Sequence, residues 1–296
     1  MNIPCAPILP LLVSVLLSLP LQGVEKKDLL GCWQRVDEKP EEMLRFEAGR
    51  YINVGKDYRE IMPAVYEKGK VTVTAEDGKH DLNLTLKDGQ LIVKNGDKTE
   101  IYKKLPNVPP ELDFSPLKLG TPKTPAPDKV KAIQAELAKR MVEDQAVRSD
   151  AARKQDMGTV DADNTKYLRG LVQDLGWIDV KRFGRDAATA AFLIVQHSND
   201  LRLMQAALPE IEKDLRAGVG DPQHYAFVYD RLKINLGERQ RFGSQFGQNA
   251  KGDTVILPLE NKAKVEEYRK SIGLFPLSQY LEIVSQQMGK EVKLSD

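Results

Sequence analysis

The hydrophobic pattern of this 296-residue chain changes its period once, on either side of a proline-rich segment. Between residues 29 and 104, apolar residues alternate with polar ones, as at Leu82, Leu84 and Leu86. Later apolar residues recur three and four positions apart. A period of two is typical of half-buried strands, and a period near 3.6 of amphipathic helices. The pattern therefore predicts an α+β multidomain protein, with a small antiparallel β-barrel-like module followed by a mostly helical domain over 129–290.

Turn sequences separate the predicted strands of the first module. They are Glu76-Asp77-Gly78, Lys87-Asp88-Gly89 and Asn95-Gly96-Asp97. Several short strands at this spacing are typical of an antiparallel sheet that curls on itself. We therefore expect residues 29–104 to form a barrel or a half-barrel.

The first predicted strand carries the sequence Gly31-Cys32-Trp33. A Gly-x-Trp sequence at this place resembles the lipocalin and calycin pattern, in which the tryptophan closes one end of a barrel. The resemblance implies either a cup for a ligand or a structural barrel. Since side chains fill the interior of small barrels, both alternatives stay open.

Prolines concentrate between residues 105 and 128, at Pro106, Pro109, Pro110, Pro116, Pro122, Pro125 and Pro127. Proline fixes φ and lacks an N–H donor, so the segment favours extended polyproline II structure. We interpret it as a semi-rigid spacer between the domains. The apolar residues Leu112, Phe114 and Leu117 leave open a surface arm that packs on one domain.

The helical pattern divides into several predicted elements. In chain order they are a long helix from near Asp128, a helix through 168–175 with Asp163 as N-cap and Gly176 as its end, a helix over 187–197, one from near Asn199, a separate piece starting at Pro209, a helix over 225–236, a loop with a β-hairpin at 243–258, and two short helices near 262–271 and 277–288.

The first 24 residues carry no charged side chain, and residues 8–21 are almost wholly apolar. This length is typical of a signal peptide and short for a membrane span. We predict a signal peptide over 1–23 and a secreted or periplasmic protein, with an uncleaved anchor as the alternative. Cleavage would remove Cys5 and leave Cys32 as the one thiol, so no internal disulfide is expected.

Charge and motifs argue against several classes of function. The formal net charge is +1 and the charges are interleaved, so neither a nucleic-acid partner nor a membrane contact beyond the signal segment is expected. There is no Gly-x-Ser-x-Gly, phosphate-loop or His-Glu-x-x-His motif. The three histidines are spread over both domains, so we predict no metal site and no cofactor.

Four short motifs distinguish the helical domain. They are Gly176-Trp177, Gln196-His197, Asp230-Arg231, and the stretch containing Gly237, Gln240, Gly243 and Gln245. Together they resemble DUF6624, a widespread uncharacterised bacterial family, over about residues 130–283. The resemblance implies no particular activity.

These motifs supply the predicted site residues Gln196, His197, Asp230, Arg231, Gln240 and Gln245. Polar side chains at the end of a buried helix need partners, and histidine titrates near neutral pH. One hypothesis is a ligand-binding or interaction module of the cell envelope, whose partner is a small molecule or an envelope protein. The alternative is a hydrolase-like enzyme with His197 as general base and Asp230 as its orienting carboxylate.

Overall fold

The computed structural model describes residues 24–36, 39–56, 58–67, 69–75, 78–249 and 251–294. The predicted signal peptide over 1–23 and residues 76–77 of one predicted turn lie outside these ranges. In the described part, no helix combines the length and the apolar character that a membrane span requires.

The N-terminal domain is a closed barrel of eight antiparallel strands, as the alternating pattern predicts. A short helix, α1 (Lys26–Leu29), precedes it. The strands are β1 (Gly31–Arg35), β2 (Met43–Glu47), β3 (Arg50–Val54), β4 (Arg59–Glu67), β5 (Lys70–Ala75), β6 (Gly78–Lys87), β7 (Gln90–Asn95) and β8 (Lys98–Lys104). Each strand pairs with the next, and β1 also pairs with β8, with Trp33 opposite Lys104. Such closure leaves no unpaired sheet edge.

Apolar side chains fill the barrel interior. Trp33 is buried at one end, where its Nε1 donates a 2.8 Å hydrogen bond to the carbonyl of Leu29 on α1. The ammonium of Lys104 lies 5.2 Å from the centre of the indole ring. A continuous cluster runs from these residues to Phe46 and Tyr102. This packing favours the structural-barrel alternative over a ligand cup.

The proline-rich segment packs against both domains. Its 3₁₀ turn, Pro110–Leu112, places the fully buried Leu112 against Cys32 and Ile52 of the barrel. Leu117 belongs to the core of the helical domain, and its N–H bonds the carbonyl of Arg202. These contacts attach the segment to the barrel at Leu112 and to the helical domain at Leu117.

The C-terminal domain is mostly helical, as predicted. Its elements are α2 (Pro127–Ser149), α3 (Met157–Leu175), α4 (Val180–Phe183), α5 (Arg185–His197), α6 (Leu201–Arg216), α7 (Pro222–Asn235), β9 (Phe246–Gln248), β10 (Thr254–Ile256), α8 (Val265–Ser271), α9 (Leu277–Met288) and β11 (Val292–Lys293), with 3₁₀ helices at Ala151–Asp156 and Lys262–Lys264. The antiparallel pair of β9 and β10 is the predicted hairpin, and β11 adds to it in parallel.

Two local predictions were wrong. Asp163 does not cap α3, which starts six residues earlier; its carboxylate instead bonds Arg140 at 2.7 Å. Pro209 does not start a new helix, because α6 continues through it. A proline inside a helix removes one backbone hydrogen bond and costs about 3 kcal/mol. Buried residues on both sides, among them Met204 and Ile211, hold the two halves of α6 in line.

The two domains touch along strands β3 and β4. Ile61 packs against the helical core as well as against the cluster under Leu112. Gly237, just after α7, lies so close to β4 that a Cβ there would stand 2.3 Å from the carbonyl oxygen of Ile61. Arg59 reaches the loop between α5 and α6. The barrel is therefore packed against the part of the helical domain that carries His197.

Candidate functional site

His197 stands at the point where the most buried helix of the domain ends. The apolar residues of α5 lie in the core, and the helix stops at His197. Asp200 then caps α6, accepting hydrogen bonds from the N–H groups of Arg202 and Leu203 at 3.1 and 3.0 Å. Because α5 ends at His197 and α6 begins four residues later, the imidazole lies at the edge of the core, and its side chain is 18% exposed.

The carboxylate partner of His197 is Asp144 on α2. Nδ1 of His197 lies 2.9 Å from Oδ1 of Asp144, whose side chain is only 1% exposed. An ionised carboxylate only accepts hydrogen bonds, so Nδ1 is the donor in this contact, and in a neutral imidazole the lone pair then lies on Nε2. Among the described residues, Nε2 has no hydrogen-bond partner.

Asp144 belongs to a small charged network. Arg148, one turn later on α2, forms an ion pair with Oδ1 of Asp144 at 3.1 Å and donates a hydrogen bond to Oδ1 of Asp161 on α3 at 2.7 Å. Ligand atoms of Asp144, Asp161 and His197 lie within 4.8 Å of one another, so these three could hold a metal ion. The guanidinium of Arg148 already bonds both carboxylates. A dication would have to displace it.

A cleft of about 650 Å³ opens beside this network. His197 and Asp161 form part of its wall, along with the loop residues Ser198, Asn199 and Asp200. The helix α3, which carries Asp161, also contributes Thr165, Lys166, Arg169 and Gln173 to the wall. Arg169 is paired with Asp200 across the cleft. The lining is polar and of both charges, which suits a small polar molecule.

Asp230, the predicted orienting carboxylate, does not bond His197. It is fully buried on α7, and its oxygens accept from the backbone N–H groups of Arg241, Phe242 and Ser244 at 2.8–3.2 Å. Burial raises the pKa of Asp230, while these donors act in the opposite direction. Its contacts are those of an anchor for the loop that follows α7.

The side-chain amide of Gln240, a residue of the same loop, bonds the loop's backbone. Its side-chain nitrogen donates to the carbonyls of Gln245 and Leu257 at 2.9 and 2.7 Å, and its oxygen accepts from the N–H of Gln245 at 2.8 Å. Gln240 is fully buried, so its amide is saturated inside the protein. Its contacts position Gln245.

Arg231 joins the remaining predicted residues. Its Nη1 donates to the backbone carbonyl of Gln196 at 2.6 Å, and its Nε to Oε1 of Gln245 at 3.0 Å. The Gln196 amide orientation that suits its neighbours turns Oε1 toward Arg231, where it accepts from Nε at 3.0 Å and Nη2 at 3.2 Å. The structure thus brings Gln196, Arg231 and Gln245 together, next to His197.

Sequence reasoning missed Asp144, Arg148 and Asp161. Asp144 stands two turns after the buried Leu137 on α2, and Asp161 two turns before the buried Leu168 on α3. A carboxylate at a position where the apolar stripe predicts a core residue needs a partner, because buried charge is costly. That signal was available, although it does not say which residue is the partner.

The family comparison covers this whole domain. The model of DUF6624, a family of unknown function, matches residues 128–293, from the first turn of α2 to the end of β11. The chain belongs to the DUF6624 family. The DUF6624 domain therefore includes the cleft, the His197–Asp144 pair and the loop held by Asp230. Comparisons with curated proteins and with solved structures gave no significant match.

The four motifs have different places in the DUF6624 domain. Trp177 is buried in the core, and Gly176 packs against the backbone of Gly120. Asp230 and Gln240 shape the loop after α7. Gln196 and Gln245 both accept hydrogen bonds from Arg231, while His197 reaches the cleft. The motifs thus contribute both to the folding of the domain and to its candidate site.

Proposed function

We propose that the DUF6624 domain is a general acid–base enzyme that acts on a small polar molecule in the cleft, with His197 as the base. The observation that carries the proposal is the 2.9 Å contact between Nδ1 of His197 and the buried Asp144, on the wall of the cleft of about 650 Å³. This replaces Asp230 with Asp144 as the orienting carboxylate.

The chemistry follows from the hydrogen bond. With Nδ1–H held by Asp144, Nε2 is the nitrogen that can take a proton from water or from a substrate hydroxyl. The imidazolium that forms stays bonded to the carboxylate, which stabilises its charge. A positioned base of this kind contributes roughly 10²–10⁴-fold to a rate.

One observation favours binding without catalysis. Oδ1 of Asp144 also forms an ion pair with Arg148, at 3.1 Å. The guanidinium draws electron density from the carboxylate and so weakens its support for an imidazolium. The second candidate function is therefore a ligand-binding module with the same cleft, whose partner is a small molecule or a protein of the bacterial cell envelope.

We also propose that the protein is exported to the periplasm or secreted. The support is the uncharged, apolar N-terminal segment of the sequence. Fusion of residues 1–30 to a reporter that is active only outside the cytoplasm tests this. Reporter activity that persists after Leu16→Arg and Leu17→Arg are introduced would contradict it.

A direct test of the site uses the ring nitrogens of His197. Side-chain ¹⁵N NMR at pH 8 should show the proton on Nδ1 in the wild type and lose this preference in Asp144→Asn. His80, on a barrel strand, is the internal reference. A wild-type His197 with its proton on Nε2 would exclude the proposed base geometry.

Turnover is then measured on p-nitrophenyl esters, phosphates and glycosides. For any hydrolysed probe, we expect His197→Gln to lower kcat at least about 100-fold and Asp144→Asn about tenfold or more, with little change in KM. A control is His80→Gln. Activity that survives His197→Gln would contradict catalysis, and a ligand bound but never converted would favour the binding module.

A further inference from the structure

Arg231 is a half-buried cation, and its hydrogen-bond partners among the described residues are all neutral. Its hydrogen bonds go to the backbone carbonyl of Gln196 and to the side-chain oxygens of Gln196 and Gln245. Among the described residues, no carboxylate forms an ion pair with it. Buried charges in proteins are normally paired, because the protein interior replaces little of the lost hydration.

The charged group that most affects Arg231 has the same sign. Burial lowers the pKa of Arg231, and the positive charge of Arg148 lowers it further. Arg148 is itself ion-paired with Asp144 and Asp161. The charge of Arg148 is therefore already compensated by carboxylates, whereas Arg231 has no carboxylate partner among the described residues.

The guanidinium of Arg231 also has N–H groups that its amide partners do not use. It has five N–H groups. The amide partners take the Nε hydrogen, one hydrogen on Nη1 and one on Nη2. One hydrogen on each Nη remains, and a planar guanidinium with donors on both terminal nitrogens matches the oxygens of a phosphate or carboxylate.

We propose that a small oxyanion binds at the guanidinium of Arg231, through the N–H groups that its amide partners leave unused. The bound group is a phosphate, sulfate or carboxylate, free or as part of a larger metabolite. Gln196 and Gln245 hold the guanidinium in place, and Gln240 and Asp230 hold the loop that carries Gln245. Arg231 does not line the cleft beside His197, so this is a separate site. It stands whether or not His197 is a catalyst.

The anion is small rather than a polymer. The net charge of the chain is +1, and its acidic and basic residues are interleaved. A nucleic acid or another polyanion needs an extended basic surface. The single half-buried guanidinium of Arg231 provides charge for one anionic group.

Binding of inorganic phosphate, sulfate and acetate to the full-length protein is measured by calorimetry at constant ionic strength. We expect saturable binding of at least one anion by the wild type. Arg231→Gln should weaken it at least about tenfold, as expected for loss of a charged donor. Arg216→Gln, which removes an exposed arginine paired with Glu212 on α6, should change it less than twofold.

A second measurement does not depend on the folding of a variant. Crystals of the wild type are soaked in selenate, and the anomalous peak of selenium is located. A peak beside the guanidinium of Arg231 supports the proposal. A wild type that binds none of the anions saturably, a selenate peak only elsewhere, or unchanged affinity in a folded Arg231→Gln variant would each overturn it.

Discussion

The guanidinium of Arg59, on the barrel strand β4, donates two 3.3 Å hydrogen bonds to the backbone carbonyl of Asn199 in the helical domain. Asn199 belongs to the loop between α5 and α6, and this loop forms one rim of the cleft beside His197. Arg59 also lies 5.9 Å from the ring of Phe114 in the proline-rich segment. The barrel thus braces the rim of a cleft that belongs to the other domain.

Removal of this brace should loosen the rim without unfolding either domain. A hydrogen bond of this kind contributes about 1 kcal/mol, so we expect Arg59→Gln to speed amide exchange in residues 198–201 about fivefold. Hydrogen–deuterium exchange with mass spectrometry measures this.

The matched control is Arg50→Gln. Arg50 also crosses between the domains, at 3.8 Å from Glu238, but it does not touch the loop. Equal exchange of residues 198–201 in the two variants would show that Arg59 has no special role at the rim.

Close packing of the domains at Gly237 predicts a steric effect. Gly237 has φ +70°, and a Cβ would stand 2.3 Å from the carbonyl oxygen of Ile61. Gly218 has nearly the same backbone, φ +72°, with open space around it. Left-handed backbone costs a non-glycine residue about 1–2 kcal/mol. Urea denaturation should show this cost for Gly218→Ala and a clearly larger loss of unfolding free energy for Gly237→Ala. Equal losses of unfolding free energy in the two variants would mean that strand β4 moves aside for the new Cβ at no energetic cost.

The buried carboxylate of Asp230 should matter for stability whatever the site does. Asp230→Ala leaves the N–H groups of Arg241, Phe242 and Ser244 without their acceptor. Each unsatisfied buried donor costs roughly 1–3 kcal/mol, so we expect a loss of about 3–5 kcal/mol in the free energy of unfolding.

Asp221→Ala is the comparison for Asp230→Ala. Asp221 is the N-cap of α7, and its carboxylate accepts one hydrogen bond, from the backbone N–H of Gln223. Its replacement by alanine should cost about 1 kcal/mol of unfolding free energy. Chemical denaturation followed by circular dichroism measures both. If Asp230→Ala is no more destabilising than Asp221→Ala, the loop after α7 does not depend on the carboxylate.

His224 should make the protein less stable in acid. Its ring stacks on Phe192 with the ring centres 3.8 Å apart, and burial lowers its pKa; Asp221 opposes this shift and Arg185 adds to it. In the unfolded chain a histidine takes up its proton near pH ~6.5. As the pH falls through that value, the unfolded state gains protons that the folded state resists, so stability is lost.

The variant His224→Phe keeps an aromatic ring against Phe192 and removes this proton. Unfolding free energies at pH 7.5 and pH 5.5 should therefore differ less in the variant than in the wild type. The other titrating groups are common to both proteins and cancel in the comparison. The same pH dependence in both would contradict a buried neutral imidazole at position 224.

Local periodicity accounts for most of what the sequence predicted. The alternation at Leu82, Leu84 and Leu86 places successive side chains inside and outside a sheet, and Asp88-Gly89 can form the tight turn that follows with positive φ at both residues. Apart from the short α4, which was not predicted, the helices α2 to α9 follow from apolar stripes and caps in the same way. Pro209 is the exception, because packing on both sides of a helix can outweigh one missing hydrogen bond, and packing is not local.

The partners of the polar residues depended on the tertiary structure. Asp230 was predicted to orient His197, but backbone amides of a loop occupy it, and Asp144 bonds the imidazole instead. Asp144 precedes His197 by 53 residues on another helix. The sequence shows that a buried carboxylate needs a partner, since its charge cannot stay unsatisfied. The choice of partner follows only from which helix ends meet when the cores close.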